Sequence, residues 1–110
     1  MFIKFDEYEL LELFCKEPIV LHEKETGMYI YSKQDKHGFN LQLYLSVYEN
    51  VCTLSLTHKN LEDSIFEFEL IDVESIRTES DLLIIRQSNS HRDISVKFKP
   101  NFSLEIQKFK

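Results

Sequence analysis

The chain has 110 residues, 43% of them hydrophobic, and a formal net charge of −6 at pH 7. This length fits one domain spanning residues 1–110, and nine Phe and five Tyr can supply a core without disulfides or metals. The excess of carboxylates repels nucleic-acid phosphate and anionic membrane surfaces, so we expect neither as a partner.

The charge is unevenly distributed along the chain. Residues 1–81 carry a net charge of −10, and residues 82–110 carry +4. Long-range charge selects partners and raises their encounter rates. We therefore expect a protein partner with a basic surface, bound through the acidic body and not through the C-terminal strands.

The first predicted element is a helix over residues 7–16. Asp6 and Glu9 form a capping-box-like pair, with Asp6 as the N-cap. Pro18 is expected to end the helix, because a residue before proline is disfavoured in the α region. Apolar residues at helical spacing form one stripe, made of Leu10, Leu11, Phe14 and Cys15.

After the helix the hydrophobic period changes from 3.6 to 2, which is typical of strands. Two short strands are predicted over Ile19–Glu23 and Met28–Lys33. The turn between them, Glu23–Gly27, ends at a glycine that is free to adopt positive φ. A second turn is expected over Gln34–Gly38.

Residues 39–58 predict a β-hairpin in which leucines alternate with polar residues. A two-residue loop at Glu49-Asn50 places Leu45 opposite Leu54 and gathers the leucines on one face. The opposite face then carries two tyrosines, Tyr44 and Tyr48.

The remaining strands are predicted over Ser64–Leu70, Val73–Thr78 with a bulge, Leu82–Gln87, Asp93–Phe98 and a last strand after Pro100. In the first of them Phe66, Phe68 and Leu70 are expected to point inward. The predicted fold is α+β, mainly antiparallel: an N-terminal helix followed by a meander of seven to nine strands that forms a bent sheet or a small sandwich.

No catalytic, metal-binding or cofactor-binding motif stands out, so we expect neither an enzyme nor a cofactor. The histidines (His22, His37, His58 and His91) lack the spacing of zinc motifs. Glu67 and Glu69 lie on one side of their strand, which suits either acid–base chemistry on a sugar or the solvated side of a half-buried strand.

The cysteines and the chain start indicate the compartment. Free cysteine is among the most buried residue types, so we expect Cys15 and Cys52 to be reduced and buried. The first residues lead into a charged helix without a secretory signal pattern, and no apolar run reaches the ~18–20 residues that span a bilayer. These features favour the cytoplasm.

The candidate protein-contact residues are aromatic and acidic: Tyr44, Tyr48, Glu62, Asp63, Glu67 and Glu69. Buried aromatic anchors with charged surroundings are typical of protein interfaces. Tyr29 and Tyr31 share one side of the neighbouring strand and add to the aromatic surface. Two alternatives stay open: the helix or a second sheet covers the tyrosines, or the acids only maintain solubility.

The capped helix Phe5–Leu11 and the strands Gly38–Val47 and Val51–His58 resemble the small acidic immunity proteins that accompany bacterial polymorphic toxins. The resemblance implies a stoichiometric binder that blocks a basic toxin domain. Two other classes stay open. A pocket of converging polar groups would favour a ligand-binding or enzymatic barrel, and pairing of an exposed edge strand would favour a homo-oligomer.

Overall fold

The computed structural model describes residues 2–23, 26–88, 92–99 and 101–108. Within these ranges one helix, α1 (Glu7–Phe14), precedes nine strands. The strands are β1 (Ile19–Val20), β2 (Met28–Gln34), β3 (Phe39–Ser46), β4 (Val51–His58), β5 (Phe66–Leu70), β6 (Val73–Glu79), β7 (Leu82–Gln87), β8 (Arg92–Lys97) and β9 (Ser103–Lys108).

The strands form two antiparallel sheets in which sequence order equals spatial order. One sheet runs β1-β2-β3-β4-β5 and the other β6-β7-β8-β9. The prediction of an α+β fold with an N-terminal helix and seven to nine antiparallel strands is confirmed. Of the two predicted arrangements, a bent sheet or a small sandwich, the strands form two sheets. Part of the predicted turn at 23–27 and part of the segment between the predicted strands Leu82–Gln87 and Asp93–Phe98 lie outside the described residues, as do His91 and Pro100.

The N-terminus of α1 is capped as predicted. Asp6 Oδ1 accepts hydrogen bonds from the backbone N–H of Tyr8 at 2.9 Å and of Glu9 at 3.4 Å. The Glu9 carboxylate has a role that the capping-box pattern did not predict. Its Oε1 accepts from the N–H of Thr78 at 3.2 Å and from its hydroxyl at 3.0 Å, which ties the first turn of α1 to β6.

The C-terminus of α1 comes two residues earlier than predicted. Cys15 is the C-cap in the left-handed region at φ 58°, and its N–H donates to Leu11 O at 2.8 Å. The chain therefore leaves the helix before it reaches Pro18. This conformation also corrects the expectation of two buried thiols, because Cys15 is exposed while Cys52 is buried.

The β3–β4 hairpin has the predicted faces but not the predicted register. Leu45 lies opposite Cys52 and Leu43 opposite Leu54, two residues away from the expected pairing. The loop contains four residues, 47–50, and not two, with Asn50 at φ 58°. An even shift returns every side chain to its own side of the sheet, so the leucines remain on one buried face.

The longer loop is held by bonds to other parts of the chain. Val47 N donates to Gly27 O at 2.9 Å, and the Ser46 hydroxyl donates to Glu49 Oε1 at 2.6 Å. Asn50 Nδ2 donates to Val73 O at 3.1 Å, and Val73 N donates to Asn50 O at 2.8 Å. The bond between Ser46 and Glu49 is local, whereas the bonds to Gly27 and Val73 are long-range. Together they favour the four-residue loop over a two-residue turn at Glu49-Asn50.

The inner faces of both sheets share one core with α1. The leucine stripe of β3 and β4 faces buried residues from the second sheet, among them Ile76, Leu83, Ile85, Ile94 and Val96. Phe14 of α1 links the two sheets: its ring centroid lies 5.4 Å from that of Tyr31 and 5.2 Å from that of Phe98. The helix thus closes one side of the core through Leu10, Leu13 and Phe14. Leu11 and Cys15, expected in this stripe, are half-buried and exposed.

Two of the four outermost strands, β6 and β5, differ in what lies on their free side. Lys4 forms an isolated parallel β-bridge with Ser75 of β6. Lys4 N donates to Glu74 O at 3.0 Å, and Ile76 N donates to Lys4 O at 2.9 Å. The predicted bulge in β6 lies beside this contact, between Val73 and Ser75. β5, by contrast, is the last strand of its sheet and pairs with β4 alone among the described strands.

Replacing the N-cap residue should destabilise the fold. Asp6→Ala removes the acceptor for two first-turn amides, so the free energy of unfolding should fall by about 1 kcal/mol. The matched control is Glu12→Ala, an exposed substitution on the same helix that keeps the cap. Urea midpoints of the two variants decide the point; equal midpoints would mean that Asp6 does not stabilise the helix.

Stability should also fall at alkaline pH. Burial raises the pKa of Cys52 from 9.0 to about 12; burial, with the Glu7 carboxylate adding to it, raises that of Tyr31 from 10.0 to about 12. As pH rises, the unfolded chain loses these two protons at a lower pH than the folded chain does. The free energy of unfolding is therefore unaffected by the two groups below about pH 9 and decreases as the pH rises towards 12.

Urea midpoints between pH 8 and 11 should therefore decrease with pH, and less steeply in Cys52→Ala. The same slope in the variant and the parent chain would contradict the assignment to Cys52.

Candidate protein-contact surface

The outer face of the five-stranded sheet is the side opposite the leucine stripe, and it brings three candidate residues together. One row across the strands reads Glu69, Thr53, Tyr44 and Ile30. The next row towards the start of β5 includes Glu67 and Ser55. Glu67 and Glu69 are exposed, and Tyr44 is half-buried. The face is therefore hydroxyl-rich with carboxylates at its β5 side, as the alternation in the sequence indicated.

The other candidates lie at opposite ends of this sheet. Tyr48 is in the 47–50 loop, 51% exposed, with its ring against Phe2 at 4.7 Å between centroids. Glu62 and Asp63 lie in the loop that joins β4 to β5, at the far end of β4. An eight-residue strand is roughly 23 Å long, so Tyr48 and the two acids of this loop do not form one continuous patch.

Tyr29 and Tyr31 do not extend the outer face. Tyr31 pairs with Leu43 and Tyr29 with Leu45, which places both tyrosines on the inner side. Tyr31 is 2% exposed and packs on Phe14. The β2–β3 register, which the sequence pattern left undefined, decides the side of these residues.

Phe68 has the predicted side of its strand but is not buried. It lies opposite Leu54 on the inner side, as predicted, yet it is 43% exposed. Its exposure follows from its position in the outermost strand, where the shared core no longer covers it. The Phe66 ring lies beside it at 5.2 Å between centroids, and Ile65 and Leu61 nearby are also exposed. The sequence signal that could have indicated this exposure is an aromatic side chain on a strand at the edge of its sheet.

The loop that carries Glu62 and Asp63 begins at a fixed histidine. His58 Nδ1 accepts from Asn60 N–H at 3.1 Å, so the hydrogen is on Nε2, which lies 2.9 Å from His37 O. The imidazole also packs edge-on against Phe39 at 4.6 Å. His58 thus has a structural role at the rim of the sheet. In the described ranges, no group of three or more His, Cys, Asp or Glu residues is arranged to hold a metal ion.

A cavity of about 350 Å³ lies between α1 and the second sheet, and its lining is polar. Lys33 Nζ donates to Leu13 O at 3.2 Å and lies 3.4 Å from Cys15 Sγ. An ammonium there stabilises the negative C-terminal end of the helix dipole. With Glu9 bonded to Thr78, the main polar groups of this cavity connect α1 to the sheets, which is a structural role.

Comparison with known proteins finds a solved structure with a similar fold. No protein-family profile and no curated protein matches the sequence. Among solved structures, the chain is similar to a chain of the contact-dependent growth inhibition toxin–immunity protein complex from Klebsiella pneumoniae 342. The TM-score is 0.79 at 23% identity, with 97% of this chain and 98% of that chain covered. The two chains share their fold over nearly their whole lengths.

This likeness agrees with the resemblance to immunity proteins that the capped helix and the strand meander carry in the sequence. What the structural comparison shows is a shared fold. The described part of the chain holds no helix that is both long and apolar enough to cross a membrane.

Proposed function

We propose that this chain is the immunity component of a toxin–immunity pair, binding the toxic domain stoichiometrically and without chemistry of its own. The observation that carries the proposal is the fold, shared over 97% of the chain with a member of a toxin–immunity complex. The resemblance of the sequence to acidic immunity proteins, inferred independently of the structure, supports the same function.

Charge supports the inhibitor side of such a pair. The net charge is −6, with −10 in residues 1–81, and a protein of this charge associates faster with a basic partner. Glu67 and Glu69 place two carboxylates on the same outer face as the half-buried Tyr44, two strands away from it. In this account charge attracts the toxin, Tyr44 and Phe68 supply apolar contact area, and binding takes place in the cytoplasm.

Protection against a toxin is the direct test. The chain and the polypeptide encoded by the adjacent reading frame should be produced together and separately, with growth as the readout. We expect the neighbouring polypeptide to arrest growth alone and the chain to restore it, and light scattering of the purified pair to give a one-to-one mass. Growth arrest that this chain does not relieve, or relief without complex formation, would refute stoichiometric immunity.

The electrostatic part has its own test. Reversing the acids of the proposed contact region (Glu62→Lys, Asp63→Lys, Glu67→Lys and Glu69→Lys) should slow association with that polypeptide by roughly tenfold or more at low salt, with less effect near 0.5 M salt. The control reverses the same number of exposed acids elsewhere: Glu12→Lys, Glu23→Lys, Glu74→Lys and Glu79→Lys. Equal rates for the two variants would show that net charge, and not this region, attracts the partner.

A further inference from the structure

The free side of β5 is an open sheet edge. In an antiparallel sheet, alternate residues of the last strand direct their N–H and C=O groups away from the neighbouring strand. The described residues place no strand on that side of β5. The equivalent side of β6 is covered at Glu74 and Ile76 by two bonds to Lys4. The N-terminal segment therefore covers part of β6, whereas β5 is left available for hydrogen bonding.

The inner side of this edge offers an apolar contact. Phe68 is 43% exposed although it lies opposite the fully buried Leu54. The Phe66 ring lies next to it and packs against the core. A strand added beside β5 would place its own inward side chains against these rings, extending the core by one strand.

Charge on the other side of β5 disfavours a second copy of this chain as the added strand. When two antiparallel β5 strands pair with Phe68 opposite Phe68, Glu67 of each copy faces Glu69 of the other. A shift by two residues places Glu67 opposite Glu67, or Glu69 opposite Glu69. Like charges directly opposite each other destabilise a strand pair, and opposite charges stabilise it. The edge therefore favours a strand whose outward side chains are basic.

We propose that β5 is the docking edge for an extended segment of the protein partner, which adds to the sheet as a sixth strand with apolar side chains on Phe66 and Phe68 and basic side chains on Glu67 and Glu69. The inference rests on the proposed function, because it names how the toxin engages the acidic surface. Main-chain bonds supply affinity in this mode of recognition, and alternating side chains supply specificity.

A synthetic strand provides the probe. The chain is titrated, at up to millimolar concentration, with an acetylated and amidated heptapeptide of alternating Lys and Val, and backbone amide shifts are recorded by NMR. A peptide with Glu in place of Lys is the control. We expect saturable shifts concentrated in β5 and β4 with the lysine peptide and none with the glutamate peptide. Shifts centred elsewhere, no shifts, or equal binding of both peptides would overturn the proposal.

A pair of matched variants tests the role of charge at the edge. Glu67→Lys with Glu69→Lys should weaken binding of the lysine peptide by about tenfold. Glu74→Lys with Glu79→Lys makes the same charge change on β6 and should leave the affinity unchanged. Amide shifts of each free variant confirm its fold. Equal losses in the two variants would contradict docking at β5.

The outcomes for the edge and for the immunity function are separable. Hydrogen exchange of the complex with the adjacent-frame polypeptide should show new protection at β5. A one-to-one complex in which β5 gains no protection would overturn the docking edge and leave immunity standing. Peptide binding at β5 together with failure to relieve growth arrest would support the edge and refute immunity. A homodimer that buries β5 in the free chain would overturn the choice of occupant.

Discussion

The leucine stripe on the inner face of β3 and β4 is the constraint on which the rest of the structure depends. Leu41, Leu43, Leu45 and Leu54 are fully buried, and burying side chains of this size contributes roughly 1.5–3 kcal/mol each. A sheet with one such face needs a cover. The second sheet and α1 provide it, with Phe14 between Tyr31 and Phe98 completing the core.

How far the second sheet and α1 extend over the five-stranded sheet determines which of its apolar side chains remain exposed. The second sheet and α1 bury the leucines of β3 and β4 but leave Phe68 of β5, at the edge of the sheet, partly exposed to solvent. The reverse side of the same strand carries carboxylates, which keep the edge soluble and oppose pairing with itself. A partly open core next to an acidic outer face is the kind of surface that can bind another protein.

The parts of the fold that could be predicted from the sequence are those decided by neighbours in the chain. The Asp6 cap and the faces of β3 and β4 follow from local spacing. The hairpin register does not, because an error of two residues preserves every face and the loop is set by the distant bond from Val47 N to Gly27 O.

The same distinction explains the errors at the candidate site. The exposure of Phe68 depends on how far the second sheet reaches, and the burial of Tyr31 depends on a register between strands. The candidates in the loops are far apart for a related reason. Tyr48 precedes β4, and Glu62 and Asp63 follow it, so the length of β4 separates the tyrosine from the two acids. Tyr44, Glu67 and Glu69 do share the outer face. Alternation sets the side of each residue within its own strand, and the registers of β3 with β4 and of β4 with β5 bring the three to the same face.

In the described part of the chain, Lys4 covers β6 at Glu74 and Ile76, and no strand lies on the free side of β5. Native-state hydrogen exchange of the free chain, followed amide by amide, tests this difference most directly. We predict that the Ile76 amide, bonded to Lys4 O, exchanges as slowly as its neighbours in β6, whereas alternate amides along β5 exchange as fast as exposed loop amides. Slow exchange of every β5 amide in the dilute monomer, or fast exchange of Ile76, would contradict this account.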